Sequence, residues 1–176
     1  MDEISKKARV SKSTLYAHFC NKEVLFRSII SCECANIALL EAWSEAWDLP
    51  VVEGLRLIGL TYVTSITSPK ALALQRVVLG GAQHFPELAQ ALYEADRELT
   101  FGRISAYLSE INRRGELSIP DIDLATHQFI GLLKGEMHLK LLLCIRETLD
   151  EDGVRIFVED SVSFFMKSYC GVGFQG

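Results

Sequence analysis

Ile4-Ser5-Lys6-Lys7-Ala8-Arg9-Val10-Ser11-Lys12-Ser13-Thr14-Leu15-Tyr16-Ala17-His18-Phe19-Cys20-Asn21-Lys22-Glu23-Val24-Leu25-Phe26 holds two short helices and the start of a third. From Asp2 to Ala8 the segment is amphipathic, with Ile4 and Ala8 on one face. Ser11 is a good N-cap for the second helix, because its hydroxyl can accept a bond from an otherwise unpaired backbone N–H one turn on. Val10, Leu15 and Phe19 fall on one side and can seal the pair together. Lys12, Ser13, Thr14, Tyr16 and His18 are then left facing outward, and Asn21-Lys22-Glu23 opens the next helix. A short helix with a cationic, hydrogen-bonding outer face suits the major groove of DNA. Lys12, Ser13, Thr14, Tyr16, His18 and Lys22 are therefore the candidate contacts to phosphates and base edges. The competing reading is an ordinary solvated helix pair.

Charge follows the same division. Residues 1–27 hold six Lys/Arg against three acids, in a chain whose net charge is −5. A basic head on an acidic body fits a nucleic-acid contact confined to the head.

The quoted stretch closely resembles the helix-turn-helix signature of the TetR/AcrR family of transcriptional regulators. A looser resemblance follows downstream. Arg76-Val77-Val78-Leu79 and then His84-Phe85-Pro86-Glu87-Leu88-Ala89 look like the middle of the ligand-binding domain in AcrR-like members. Arg9 departs from the pattern, standing at a turn where the family usually has glycine. The family also has a helix ahead of this pair, and Met1 stands about where that helix should already have ended. The expectation from that departure is weak or absent operator binding by the chain as written, and binding to a palindrome by an upstream-extended chain. The resemblance implies a homodimeric regulator, usually a repressor, whose body binds a small molecule and whose long third helix links head to body. The alternative is a dimeric helical ligand-binding or interaction domain that binds no DNA.

The rest of the chain reads as helices. Val24, Leu25, Ile29, Cys32, Leu39, Leu40, Trp43 and Trp47 recur at near-helical spacing over 22–47. Asp48-Leu49-Pro50 ends that helix, because the residue before proline is pushed out of helical geometry. Further helices are expected over 50–66, 70–80, 86–114, 121–147 and 150–169, with a loose tail from Gly171 to Gly176. Gly115 reads as a helix-terminating glycine after the cationic Arg113-Arg114. Gly131 and Gly135 are four apart and could allow close helix approach. No alternating strand pattern and no repeat is present. The fold class is all-α, with a helix-turn-helix domain and linking helix over 1–45 and a ligand-binding and dimerisation domain over 46–176.

The last two helices are apolar on more than one side, so they must be buried on more than one face. Packing helices 121–147 and 150–169 against a second copy gives a four-helix interface, which is also how the family dimerises. With 49% hydrophobic residues and a positive mean hydropathy, the chain has apolar surface to spare for it.

Several chemistries find no support. No run reaches the roughly 18 apolar residues of a membrane span, and no signal peptide leads the chain, so a cytoplasmic location is expected. The histidines and acids complete no metal site, and neither a phosphate loop nor a nucleophile motif is present, so no enzyme, cofactor or metal is expected. The cysteines, five and irregularly spaced, read as reduced structural thiols. An apolar ligand cavity is expected within helices 50–66, 86–114 and 121–147. Tyr62, Phe85, Tyr93, Phe101, Tyr107, His127, Phe129 and Met137, with Trp43, are its candidate lining, although each also fits an ordinary core. Arg76 or His127 could orient a ligand there.

Overall fold

The computed structural model describes residues 1–34, 43–145 and 150–170, with the backbone alone for Ser31, Glu33 and Cys34. Among these residues the chain forms α1 (Asp2–Ala8), α2 (Lys12–His18), α3 (Lys22–Cys34), α4 (Val51–Ile66), α5 (Pro69–Gly81), α6 (Pro86–Asp96), α7 (Gly102–Arg113), α8 (Ile122–Leu142) and α9 (Glu151–Tyr169). Residues 43–46 are also helical, and no strand occurs among the described residues. The middle of the expected linking helix, the end of the expected helix 121–147 and the tail from Gly171 lie outside the described residues.

Caps set most of these helix starts. The side-chain oxygens of Ser11, Ser68, Asp121 and Asp150 each accept a first-turn backbone N–H, from Thr14, Ala71, Leu124 and Gly153. Asn21 does the same for α3, taking the Val24 N–H at 2.8 Å. Each satisfies a donor that the helix itself cannot, worth about 1 kcal/mol. Gly115, at φ 76, terminates α7 in the left-handed conformation that favours glycine.

Two interruptions were not expected. The single helix foreseen over 86–114 contains a π-helical turn at Arg97–Phe101, between α6 and α7. Inside α8, Gly135 takes φ 47 and ψ −166, which kinks the helix. A Cβ at Gly135 would stand 3.1 Å from the Phe157 ring, so this glycine does permit a close approach by α9. A Cβ at Gly131 would meet nothing within 4 Å among the described residues, so no close approach there calls for a glycine.

The core lies in the body, where α4, α7, α8 and α9 meet. Leu55, Ile58, Val63, Ile104, Tyr107, Leu108, Phe129, Leu133, Val162 and Phe165 are all fully buried there. Phe129 and Phe165 pack tilted, with ring centroids 4.9 Å apart. Helix α4 comes close to its neighbours through its glycines. A Cβ on Gly54 would meet the Tyr107 hydroxyl and the Ala46 carbonyl, and one on Gly59 would meet Val158 and Leu133.

The head, α1 to α3, joins the body where α3 packs on α5 and α6. Leu25 and Ile30 of α3 are buried there. An ion pair from Arg27 to Glu94 of α6, 3.9 Å apart, lies along the same junction.

Candidate functional site: a helix-turn-helix face and an apolar cavity

The head presents its polar face as the sequence suggested. Lys12, Ser13, Thr14, Tyr16, His18 and Lys22 are all exposed, while Leu15 is buried beneath them. Val10 is exposed and Phe19 half-buried, so Leu15 carries most of the sealing expected of the three. The Ser11 hydroxyl lies 2.7 Å from those of Ser13 and Thr14, a cluster that fixes the first turn of α2. Lys12 Nζ pairs with the Asp2 carboxylate at 2.7 Å, and that bond holds the Asp2 carboxyl below its usual range. Both groups are well exposed. Such a pair is worth little in water, so Lys12 can exchange Asp2 for a phosphate at small cost. Arg9 ends α1 at φ 55, ψ 38, and the N–H groups of Arg9 and Val10 donate back to the Lys6 and Ser5 carbonyls. That is the glycine-type turn, held here by an arginine.

The second site is a cavity of about 320 Å³. Tyr62, Ser65 and Ile66 of α4 line one side, and Ala71, Leu74, Gln75, Val78 and Leu79 of α5 the next. Ala89, Leu92, Tyr93 and Asp96 of α6, Thr100 of the π-turn and Lys134 of α8 complete it. The walls are mostly apolar, with a few polar groups converging, as small-molecule sites generally are.

Three polar features mark this cavity. Tyr62 is 1% exposed, and its hydroxyl finds no hydrogen-bond partner among the described residues. Burial, and then the nearby Asp96 charge, push that phenol well above its usual pKa. Asp96 and Lys134 form an ion pair at 3.5 Å, both partly exposed. Gln75 donates to the Ile66 carbonyl at 3.0 Å, which orients its amide so that its oxygen meets His138 Nε2 at 2.8 Å. His138 therefore donates from Nε2. Burial, then Lys134, lower its pKa and favour the neutral ring.

The structure brings two of the candidate lining residues to this cavity, Tyr62 and Tyr93. Phe129 and Tyr107 belong to the solid core instead, against Phe165 and Trp47. Trp43 is buried in that core, and Met137 packs against it. Phe101 and His127 pack tilted, with ring centroids 4.6 Å apart, and Arg97 lies over the Phe101 ring. Neither Phe101 nor His127 belongs to the cavity lining, and His127 is exposed. Phe85 lies in a different hollow, an apolar groove of about 610 Å³ between head and body that Ile4, Leu25, Phe26, Ile29, Val77 and Leu88 also line. Arg76 is not part of the cavity's lining, and its guanidinium donates to the Leu141 and Leu142 carbonyls. Those carbonyls end α8, where unpaired acceptors and the negative end of the helix dipole attract a cation.

Most of the lining escaped the reading by aromatic content. A helical signal was available. Ala71, Leu74, Gln75 and Val78 recur at three- and four-residue steps, as do Ala89, Leu92, Tyr93, Asp96 and Thr100. In the second series a charged Asp96 falls on the apolar stripe, which is the mark of a site rather than a core.

Among the described residues no group of histidines, cysteines and acids could hold a metal, and no helix is long and apolar enough to cross a membrane. Cys20, Cys32, Cys144 and Cys170 carry free thiols.

Comparison with known proteins adds to the geometry. Residues 1–29 match the family described as bacterial regulatory proteins of the tetR family. Residues 53–171 match the C-terminal domain of AefR-like transcriptional repressors. No curated protein matches the chain. A TetR-family regulator from Mesorhizobium loti has the same fold, with a TM-score of 0.87 at 21% identity, over 97% of this chain and 86% of that one. The flavonoid-responsive regulator FrrA is 33% identical, with a TM-score of 0.74 over 98% of this chain and 87% of its own. A TetR-family regulator from Pseudomonas syringae pv. tomato is 28% identical, with a TM-score of 0.70 over 96% of this chain and 84% of its own.

Proposed function

The chain belongs to the TetR family of ligand-responsive, DNA-binding transcriptional regulators, and from that premise we propose how its parts divide the work. Residues 1–45 form the operator-binding unit with its linking helix, and 46–176 the effector-binding and dimerisation unit. Lys12, Ser13, Thr14, Tyr16, His18 and Lys22 meet the operator, the cations on phosphates and the α2 side chains on base edges. The match of the body to repressors favours repression.

The effector occupies the cavity beside Tyr62. Its volume and largely apolar walls suit a small, mostly apolar molecule, and the flavonoid response of FrrA supports an aromatic one. One observation carries the regulatory reading: α6 is shared between the two sites. It lines the cavity with Leu92, Tyr93 and Asp96, and it packs on α3 of the head, with Glu94 facing Arg27. An effector that displaces α6 displaces α3, and with it the spacing of two heads in a dimer.

That dimer forms through α8 and α9. Leu124, Leu139, Ile156 and Phe164 (62% exposed) leave large apolar surfaces on these helices without cover from the chain itself. Obligate interfaces of this kind bury roughly 2,000 Å² or more.

The test is a gel shift at fixed salt, with DNA from upstream of the protein's own gene and with flavone as the effector. Release of the DNA by flavone supports the proposal. So does loss of that response, with DNA affinity kept, in Leu92→Trp, which fills the cavity. A Leu92→Trp protein that still releases DNA on adding flavone, or a monomeric mass in light scattering, overturns it.

A further inference from the structure

The polar groups of the cavity specify more than an apolar guest. Its lining contains two charged side chains, Asp96 and Lys134, and they pair with each other at 3.5 Å. A carboxylate ligand could take Lys134 only by leaving Asp96 unpaired beside it, with two like charges side by side. A cationic ligand meets the converse problem at Lys134. The pair is intact for an uncharged guest, and the Asp96 carboxylate, an acceptor with several lone pairs, can still accept a hydrogen bond from a hydroxyl.

Tyr62 supplies the complementary demand. Its hydroxyl is buried and unpartnered among the described residues, and a buried polar group in that state is costly until it finds a partner. A tyrosine phenol is protonated at neutral pH and has one O–H to donate, so an acceptor oxygen would satisfy it. Tyr62 and Asp96 line the same cavity, so one small molecule can address both.

We propose that the effector is an uncharged aromatic molecule carrying an acceptor oxygen, which takes the Tyr62 hydroxyl, and a phenolic hydroxyl, which donates to the Asp96 carboxylate. This rests on the reading of the cavity as the effector site and makes Tyr62 and Asp96 its specificity-determining residues. Burial of the aromatic rings against Leu74, Val78 and Leu92 supplies affinity, and the two hydrogen bonds supply choice.

The experiment is calorimetric titration of the purified protein with 7-hydroxyflavone, 7-methoxyflavone and flavone-7-carboxylate, each of which carries a ring carbonyl. Wild-type protein should bind 7-hydroxyflavone about tenfold more tightly than its methyl ether, the worth of one hydrogen bond. It should bind the carboxylate weakest. Asp96→Ala should bring hydroxyflavone and methoxyflavone to equal affinity. Tyr62→Phe should weaken both of these by about tenfold, since both carry the carbonyl. The same variant should melt about 2–4 °C higher without ligand, because an unpaired buried hydroxyl has gone. A merely structural tyrosine would melt lower. Equal affinity of the wild type for the two neutral probes, or unchanged affinity in Tyr62→Phe, overturns the hydrogen-bond assignment and leaves the cavity as effector site. Failure of all three probes to bind overturns both.

Discussion

The head and the body use their apolar side chains in different ways. In the head, Leu15, Leu25 and Ile30 are buried, while Ile4, Val24 and Ile29 on its helices and Val10 in the turn remain exposed. In the body, Phe129, Phe165, Tyr107, Leu133 and Ile58 interlock among four helices with almost no exposure. Hydrophobic stabilisation scales with the area removed from water, so the body is self-supporting and the head is not. The head depends on α6 behind it and, in use, on DNA in front. Marginal stability of that kind suits a part that has to change position when an effector arrives.

Truncation of one core side chain in each region is the strongest way to break this contrast. Phe129→Ala should cost about 3–5 kcal/mol and lower the main urea transition of the whole protein. Leu15→Ala should cost about 2–5 kcal/mol, all of it within the head. It should abolish the gel shift while leaving the main transition and flavone binding where they were. A main transition that falls as far for Leu15→Ala as for Phe129→Ala would mean that head and body unfold as one unit.

The same contrast governs what the sequence disclosed. The cap at Ser11, the helix start at Asn21 and the turn at Gly115 were legible, because each is local chemistry decided within four residues; the caps at Ser68, Asp121 and Asp150 are equally local. The polar face of α2 was legible for the same reason. The π-turn at Arg97–Phe101 was not, because Ala89 to Ile111 carries an unbroken helical period and one extra residue in a turn leaves no local mark. The kink at Gly135 answers to the Phe157 ring of α9, a neighbour from another part of the chain. The cavity was the least legible. It is enclosed mainly by α4, α5 and α6, and aromatic content points equally to a packed core, where Phe129 and Tyr107 in fact lie. Asp96 on an apolar stripe was the better clue.

A smaller change should sharpen the contrast from the side of the head. Arg9 holds φ 55 at the end of α1, a conformation that costs an ordinary residue about 1–2 kcal/mol and glycine almost nothing. Glycine loses more entropy on folding, which offsets part of the gain. Arg9→Gly should therefore stabilise the head by about 1 kcal/mol or less. Hydrogen exchange is the measurement: the amides of α1 and α2 should slow by about fivefold while those of α4 and α9 are unchanged. Faster exchange in α1 would mean that the Arg9 side chain contributes more than its backbone strain costs.

The smallest effect is expected at the junction itself. Arg27 and Glu94 are both about half exposed and 3.9 Å apart, and each has a second partner on its own helix. Glu23 holds Arg27 at 3.2 Å, and Gln90 donates to Glu94 at 2.8 Å. Removing either member leaves the other paired, and exposed pairs contribute about 0.2–1 kcal/mol at best. A double-mutant cycle of Arg27→Ala and Glu94→Ala should therefore give a coupling of about 0.5 kcal/mol or less, weaker still in high salt. The junction then rests on apolar packing, with Leu25 and Ile30 buried and Leu25, Phe26 and Leu88 lining the adjoining groove. Close-packed side chains move together, so this packing can carry a shift of α6 to α3 without a directional bond. If Glu94→Ala keeps flavone affinity but loses flavone-driven release of DNA, the ion pair transmits the signal and the packing only supports it.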